Sequence, residues 1–373
     1  MGHENEILKK ITAFFASKPG IIFVGAFIGV MAAVLQHEGN PGNMGFCIAC
    51  FQRDIAGALG LHSAAPVQYI RPEIPGIVLG AFIAALIFGE YKARAGSAPM
   101  IRFVLGFFAM IGALVFLGCP WRALLRLAGG DLNAILGLAG LASGIFIGTL
   151  FIRRGFNLGR SRKTYPVVGL VIPVFMLGLL IFLIWDPTYY DAALGEDVTF
   201  IRTSTIGPGA MAAPIALSLG IGLAVGFFAQ RSRFCTVAGI RDSILIRDYH
   251  LLLGVIALVI AAFAANLVLD QFSVGFEGQP VAHDDHLWNY MGMVLSGLAF
   301  VLAGGCPGRN LVLSGEGNTD SGIFVVGMLA GAAFSHNFRL ASSPTGTGDW
   351  GPQAVILGLI ICIIIGLTMR DKS

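Results

Sequence analysis

Ten apolar segments, centred near residues 28, 82, 110, 143, 175, 220, 260, 297, 329 and 361, take up most of this chain. In hydrocarbon a backbone must satisfy its own polar groups, so runs of this kind restrict the chain to a bundle of membrane-spanning helices. Several runs fall short of the roughly 20 residues that a plain helical crossing needs. Glycine and proline breaks lie beside them, so half-helices are expected to complete some crossings. Composition agrees, since only 12% of the 373 residues are charged, about half the share found in soluble domains. A net charge of +3, without a basic aromatic patch, gives no footprint for nucleic acid.

Lysine and arginine set the orientation. With the N-terminus in the cytoplasm and sides alternating, 18 of the 24 basic residues fall on the cytoplasmic side. Every one of the 24 then lies between apolar segments, and both termini are cytoplasmic. The stretch from Met1 to Lys18 is polar and lysine-bearing, unlike a cleaved leader.

Inside this pattern a repeat stands out. Gly118-Cys119-Pro120-Trp121-Arg122 recurs in the second half as Gly305-Cys306-Pro307-Gly308-Arg309. Phe46-Cys47 and Arg53-Asp54 recur as Phe234-Cys235 and Arg241-Asp242, and His62 recurs as His250. The offset is nearly constant across all of these matches, drifting by a single position. The expected organisation is a cytoplasmic segment 1–19, a first unit 20–185, an external linker 186–210, a second unit 211–370 and a cytoplasmic tail 371–373. Five apolar segments in the first unit make the second enter from the opposite face. The fold class is therefore an all-α polytopic membrane protein of two inverted-topology repeats with broken or re-entrant half-helices. Cys47 and Cys119 face outward in this arrangement, and Cys235 and Cys306 inward.

The cysteines carry the candidate chemistry. Proline at the first helical position puts Cys119 and Cys306 at N-caps, near the positive end of a helix dipole. A neutral thiol is a weak donor on a soft, polarizable atom, suited to a soft sulfur- or selenium-containing anion. Arg122 and Arg309 supply positive potential, and Arg53-Asp54 and Arg241-Asp242 fix half-helix ends or attract anions at each mouth. A single buried cysteine reads most simply as a small hydrophobe, but two in matching Gly-Cys-Pro-x-Arg settings favour a path. Cys47-x-x-Cys50 invites a redox reading, yet the second unit has Ala238 in place of Cys50. Cys362 packs or faces lipid. Asp131, Glu316 and Asp320 read as solvated loop residues, and the His283 to His286 stretch as an external loop. No tetrahedral Cys/His spacing, phosphate-binding glycine loop or nucleophile elbow is present, so neither metal nor cofactor is expected.

At Phe46-Cys47, Gly118-Cys119-Pro120, Phe234-Cys235 and Gly305-Cys306-Pro307 the chain resembles the YeeE/YedE sulfur-transport family of bacterial inner-membrane proteins. Gly45 to Cys50, Arg71 to Pro75, Gly129 to Asn133, Gln230 to Arg233, Gly275 to Pro280 and Gly315 to Asn318 make it most similar to the YedE/FdhT branch associated with selenium metabolism. The resemblance implies an hourglass-shaped transporter whose cysteines pass thiosulfate along by S–H···S contacts. It implies that role for Cys119, Cys235 and Cys306, with Cys47 at the outer entrance.

The expected function is therefore an inner-membrane permease importing a small selenium- or sulfur-containing anion, a selenium compound first and a thiosulfate-like ion next. The bilayer is one partner, and a cytoplasmic selenium or sulfur carrier protein is a candidate receiver. The alternative is a membrane thiol-disulfide oxidoreductase or sulfur/selenium-transfer enzyme using Cys47 and Cys50.

Overall fold

The computed structural model describes residues 2–191 and 196–370, so the tail 371–373 lies outside the described residues. After α1 (Gly2–Phe15) the first half runs through α2 (Lys18–His37), α3 (Ile48–Ala58), α4 (Glu73–Ile87), α5 (Pro99–Phe116), α6 (Pro120–Ala128), α7 (Asn133–Arg153), the short α8 (Pro166–Gly169) and α9 (Val171–Trp185). The second half runs through α10 (Ile215–Ser232), α11 (Thr236–Leu245), α12 (His250–Val268), α13 (His286–Ala303), α14 (Pro307–Gly315), α15 (Thr319–Asn337) and α16 (Gly351–Thr368). Two small hairpins complete it, β1 (Arg94–Ala95) with β2 (Arg162–Lys163) and β3 (Thr188–Asp191) with β4 (Glu196–Thr199).

Each of the ten apolar segments is one helix: α2, α4, α5, α7, α9, α10, α12, α13, α15 and α16. Among the described residues, seven stretches are long and apolar enough to cross a membrane, and α4 and α9 are apolar but only 15 residues each. Their outward faces carry exposed large hydrophobic side chains, such as Ile184, Ile260 and Val268. In a membrane protein these are the lipid-facing positions. The fold is a polytopic all-α membrane fold.

Between the long helices sit four short ones, α3, α6, α11 and α14, each with a cysteine at its N-cap. Three follow a long helix after a single left-handed residue, and the reason differs at each. Gly304 takes φ 93° after α13, where glycine has no Cβ to clash. Leu117 takes φ 61° after α5 and Arg233 takes φ 60° after α10, conformations that cost an L-residue about 1–2 kcal/mol. Gly118 thus does not make the first break. Amide bonds from Gly118 to the Ala113 carbonyl (2.7 Å) and from Gly305 to the Phe300 carbonyl (2.9 Å) seal the two helix ends alike.

The long helices pair across the chain. α2 packs on α12, α10 on α4, α13 on α7 and α15 on α5. Bare glycine permits the closest of these approaches: a Cβ on Gly25 would stand 1.9 Å from the Gly254 carbonyl oxygen, and one on Gly226 would stand 2.1 Å from that of Ile77. The register that aligns Cys119 with Cys306 also lays the bounds of α5 and α6 onto those of α13 and α14.

Candidate functional site

Buried charge is the first departure from the sequence reading. The arginines expected between apolar segments are drawn into the bundle: Arg71, Arg122 and Arg126 have no exposed surface, and Arg53 almost none. The carboxylates expected in solvated loops follow them, with Asp131, Asp320 and Glu316 all buried. Charges enter low-dielectric surroundings only when paired or hydrogen-bonded, and most of these are. Asp54 lies between Arg53 (2.7 Å) and Arg71 (2.8 Å), Arg126 holds Asp131 at 2.5 Å, and Asp320 accepts the amides of Gly96 and Ser97. Hydropathy counts could not find these charges, because short helices such as α3 and α6 fold polar residues into the protein interior between the long apolar ones.

Two thiol pairs sit among these charges. In the first, Cys47 at the start of α3 and Cys119 at the start of α6 lie close enough for their thiols to influence each other. In the second, the Cys235 and Cys306 sulfurs at the starts of α11 and α14 stand 3.6 Å apart, and the Cys306 amide donates to the Cys235 sulfur at 3.5 Å. All four are buried free thiols. Two helix N-termini therefore converge on each pair, and three of the sulfurs act as caps. Cys47 accepts from the Cys50 amide (3.3 Å), Cys235 from that of Ala238 (3.4 Å) and Cys306 from that of Arg309 (3.4 Å).

The pairs differ in charge. Beside the first, Arg122 donates to Asn43, Leu117, Pro280 and Val281 carbonyls and lies 3.7 Å from the Cys50 sulfur. No carboxylate joins it among the described residues, so a full cation stays there, met only by dipoles. Beside the second, Arg309 lies 3.4 Å from Glu316, which also takes Arg233 at 2.9 Å. Arg233 reaches on to Glu90 (2.7 Å), which Arg231 also binds (2.9 Å). The flanking Arg241-Asp242 pair is partly exposed at 2.7 Å, whereas Arg53-Asp54 is sealed.

Cys50 is not peripheral, since it faces both Cys47 and Arg122. His62 is buried with its Nε2 at 3.1 Å from the Arg53 carbonyl, while His250 only begins α12, so the recurring histidines do not share a role. His283, read as an external loop residue, is buried against the Val115 carbonyl at 2.8 Å. Burial outweighs that bond and lowers its pKa, which keeps the ring neutral. Cys362 packs inside.

A comparison with known families bears on the class. Residues 231–368 match the family model described as sulphur transport. The matched part holds Cys235, Cys306, Arg309 and Glu316, and leaves the first thiol pair outside it. No curated relative matches the chain significantly. A match of that description on a polytopic helical membrane chain supports a sulfur-related transporter rather than an enzyme.

Proposed function

We propose that the chain is a bacterial inner-membrane permease importing a small selenium- or sulfur-containing anion, a selenium compound first and a thiosulfate-like ion next. The observation that carries the proposal is the two thiol pairs, each at a junction of two helix N-termini. A helix N-terminus offers amides and positive potential to an anion, and a neutral S–H adds a donor on a soft atom. The ion passes from Cys47 and Cys119 to Cys235 and Cys306 by exchange of S–H contacts, with no covalent step.

The two halves 20–185 and 211–370 are read as inverted repeats, with both termini cytoplasmic. The free cation at Arg122 then draws the ion in from outside. At the cytoplasmic pair Arg309 is already neutralised by Glu316, which favours release to water or to a carrier protein.

Uptake of labelled thiosulfate and selenite into proteoliposomes tests the relay. Cys119→Ala and Cys306→Ala should each lower uptake more than tenfold while the protein inserts normally. Cys306→Ser keeps a helix cap for the Arg309 amide but replaces the soft atom, so it should fold like the native chain and still transport poorly. Undiminished uptake in both alanine variants would rule out the relay.

A further inference from the structure

Between the two thiol pairs lies a side chain that the cysteine pattern does not explain. Trp121, the second residue of α6, is 1% exposed. Its ring meets Phe46 edge-on at 6.4 Å and Phe234 at 5.8 Å, the residues immediately before Cys47 and Cys235. It also rests on Gly308, two residues past Cys306, where an added Cβ would come within 2.9 Å of the indole. With Cys119 two residues before it, Trp121 adjoins the neighbourhood of all four cysteines. The repeat has no second copy of it, because the matching position of the second unit is Gly308 itself. One large ring thus occupies the space that two equivalent residues would contest.

The indole Nε1 is buried and has no hydrogen-bond partner among the described residues. A buried unpaired donor costs about 1–3 kcal/mol, and nearly every buried indole N–H finds a partner. Resting on the permease reading above, we propose that Trp121 is the central selectivity residue of the path. Its N–H donates to an oxygen of the ion as it leaves one thiol pair for the other, and its ring with Phe46 and Phe234 forms the constriction. The species favoured is a polarizable sulfur or selenium anion that also bears an oxygen acceptor. Hydrosulfide offers the indole only a softer, weaker sulfur acceptor, and strongly hydrated sulfate is penalised by the aromatic walls.

Trp121→Phe keeps the ring and removes the donor. In proteoliposomes of the full chain it should raise the KM for labelled thiosulfate about tenfold, as expected for one hydrogen bond to a charged group. Competition by hydrosulfide should weaken far less than competition by thiosulfate. A second measurement is independent of transport: in the Trp185→Phe, Trp288→Phe, Trp350→Phe background, thiosulfate should quench and shift the fluorescence of Trp121, and sulfate should not. Normal uptake with an unchanged KM in Trp121→Phe, or a Trp121 emission indifferent to thiosulfate in a transporting protein, overturns the assignment and leaves the permease reading standing. No uptake of any sulfur or selenium anion by the unaltered chain, with no fluorescence response, overturns both.

Discussion

At Arg122 four carbonyl oxygens and one sulfur receive a guanidinium that no carboxylate neutralises among the described residues. Desolvating a cation in this way is costly, which makes such a residue inside a membrane protein a candidate for function as proposed above. Its counterpart Arg309 shows the contrast, since Glu316 stands beside it. Arg122→Gln should therefore raise the KM for the transported anion by tenfold or more, as the loss of a charge-assisted contact worth about 1.5–3 kcal/mol implies. Arg122→Lys should not restore it, because one ammonium on a flexible stem cannot hold this fan of carbonyls. Initial rates over a range of substrate concentrations would check both. An unchanged KM in Arg122→Gln would confine the residue to bracing the chain around Leu117 and Val281.

At the scale of elements, the four cysteine-capped helices were legible in part. Gly-Cys-Pro announces α6 and α14, because proline pre-sets the first turn and cysteine occupies the cap. The Phe-Cys pattern announces α3 and α11. What spacing could not reveal is which neighbours converge from elsewhere in the chain. Glu316 lies seven residues beyond Arg309, yet its partner Arg233 comes from the end of α10 and its neighbour Glu90 from the α4 to β1 connection. Trp121 was invisible for the same reason, since its importance lies in the absence of a partner and in a glycine from the other half of the chain. The Glu90 cluster invites a pH test. Burial works against the charged carboxylate, but hydrogen bonds from Arg231 and Gln230 and the charge of Arg233 outweigh it and hold its pKa below the usual value. A depressed carboxylate contributes stability that is fully present above its unfolded pKa and is lost as pH falls through the folded one. The cluster is thus intact at neutral pH and loosens only on acidification below the ordinary carboxylate range. Glu90→Gln should flatten the fall of Tm on acidification below that point and leave neutral-pH uptake responsive to the same substrates. Thermal melts of the detergent-solubilised protein would show it, and an unaltered acid slope would mean the cluster stabilises nothing.

For the molecule as a whole, the ten apolar helices among the described residues could be read from apolar runs alone, because each run became one helix. Burial of the basic residues could not, because the counts treat every charge as a loop. The long helices also do not keep to their own halves. α2 needs α12, α4 needs α10, and α5 and α7 need α15 and α13. That exchange of partners bears on how the protein is made. While the ribosome has delivered only as far as α9, the packing faces of α2, α4, α5 and α7 have nothing to meet but lipid or the insertion machinery. The glycine at Gly25 has no Gly254 backbone to receive it until α12 arrives. A chain divided between α9 and α10 should consequently give two unstable fragments when each is expressed alone. Co-expression should recover a protease-resistant, co-purifying pair with measurable uptake, and fragments equally long-lived alone and together would show that each half matures unaided. Biogenesis is then a late event: the second thiol pair does not exist until Cys306, in the last third of the chain, has been synthesised.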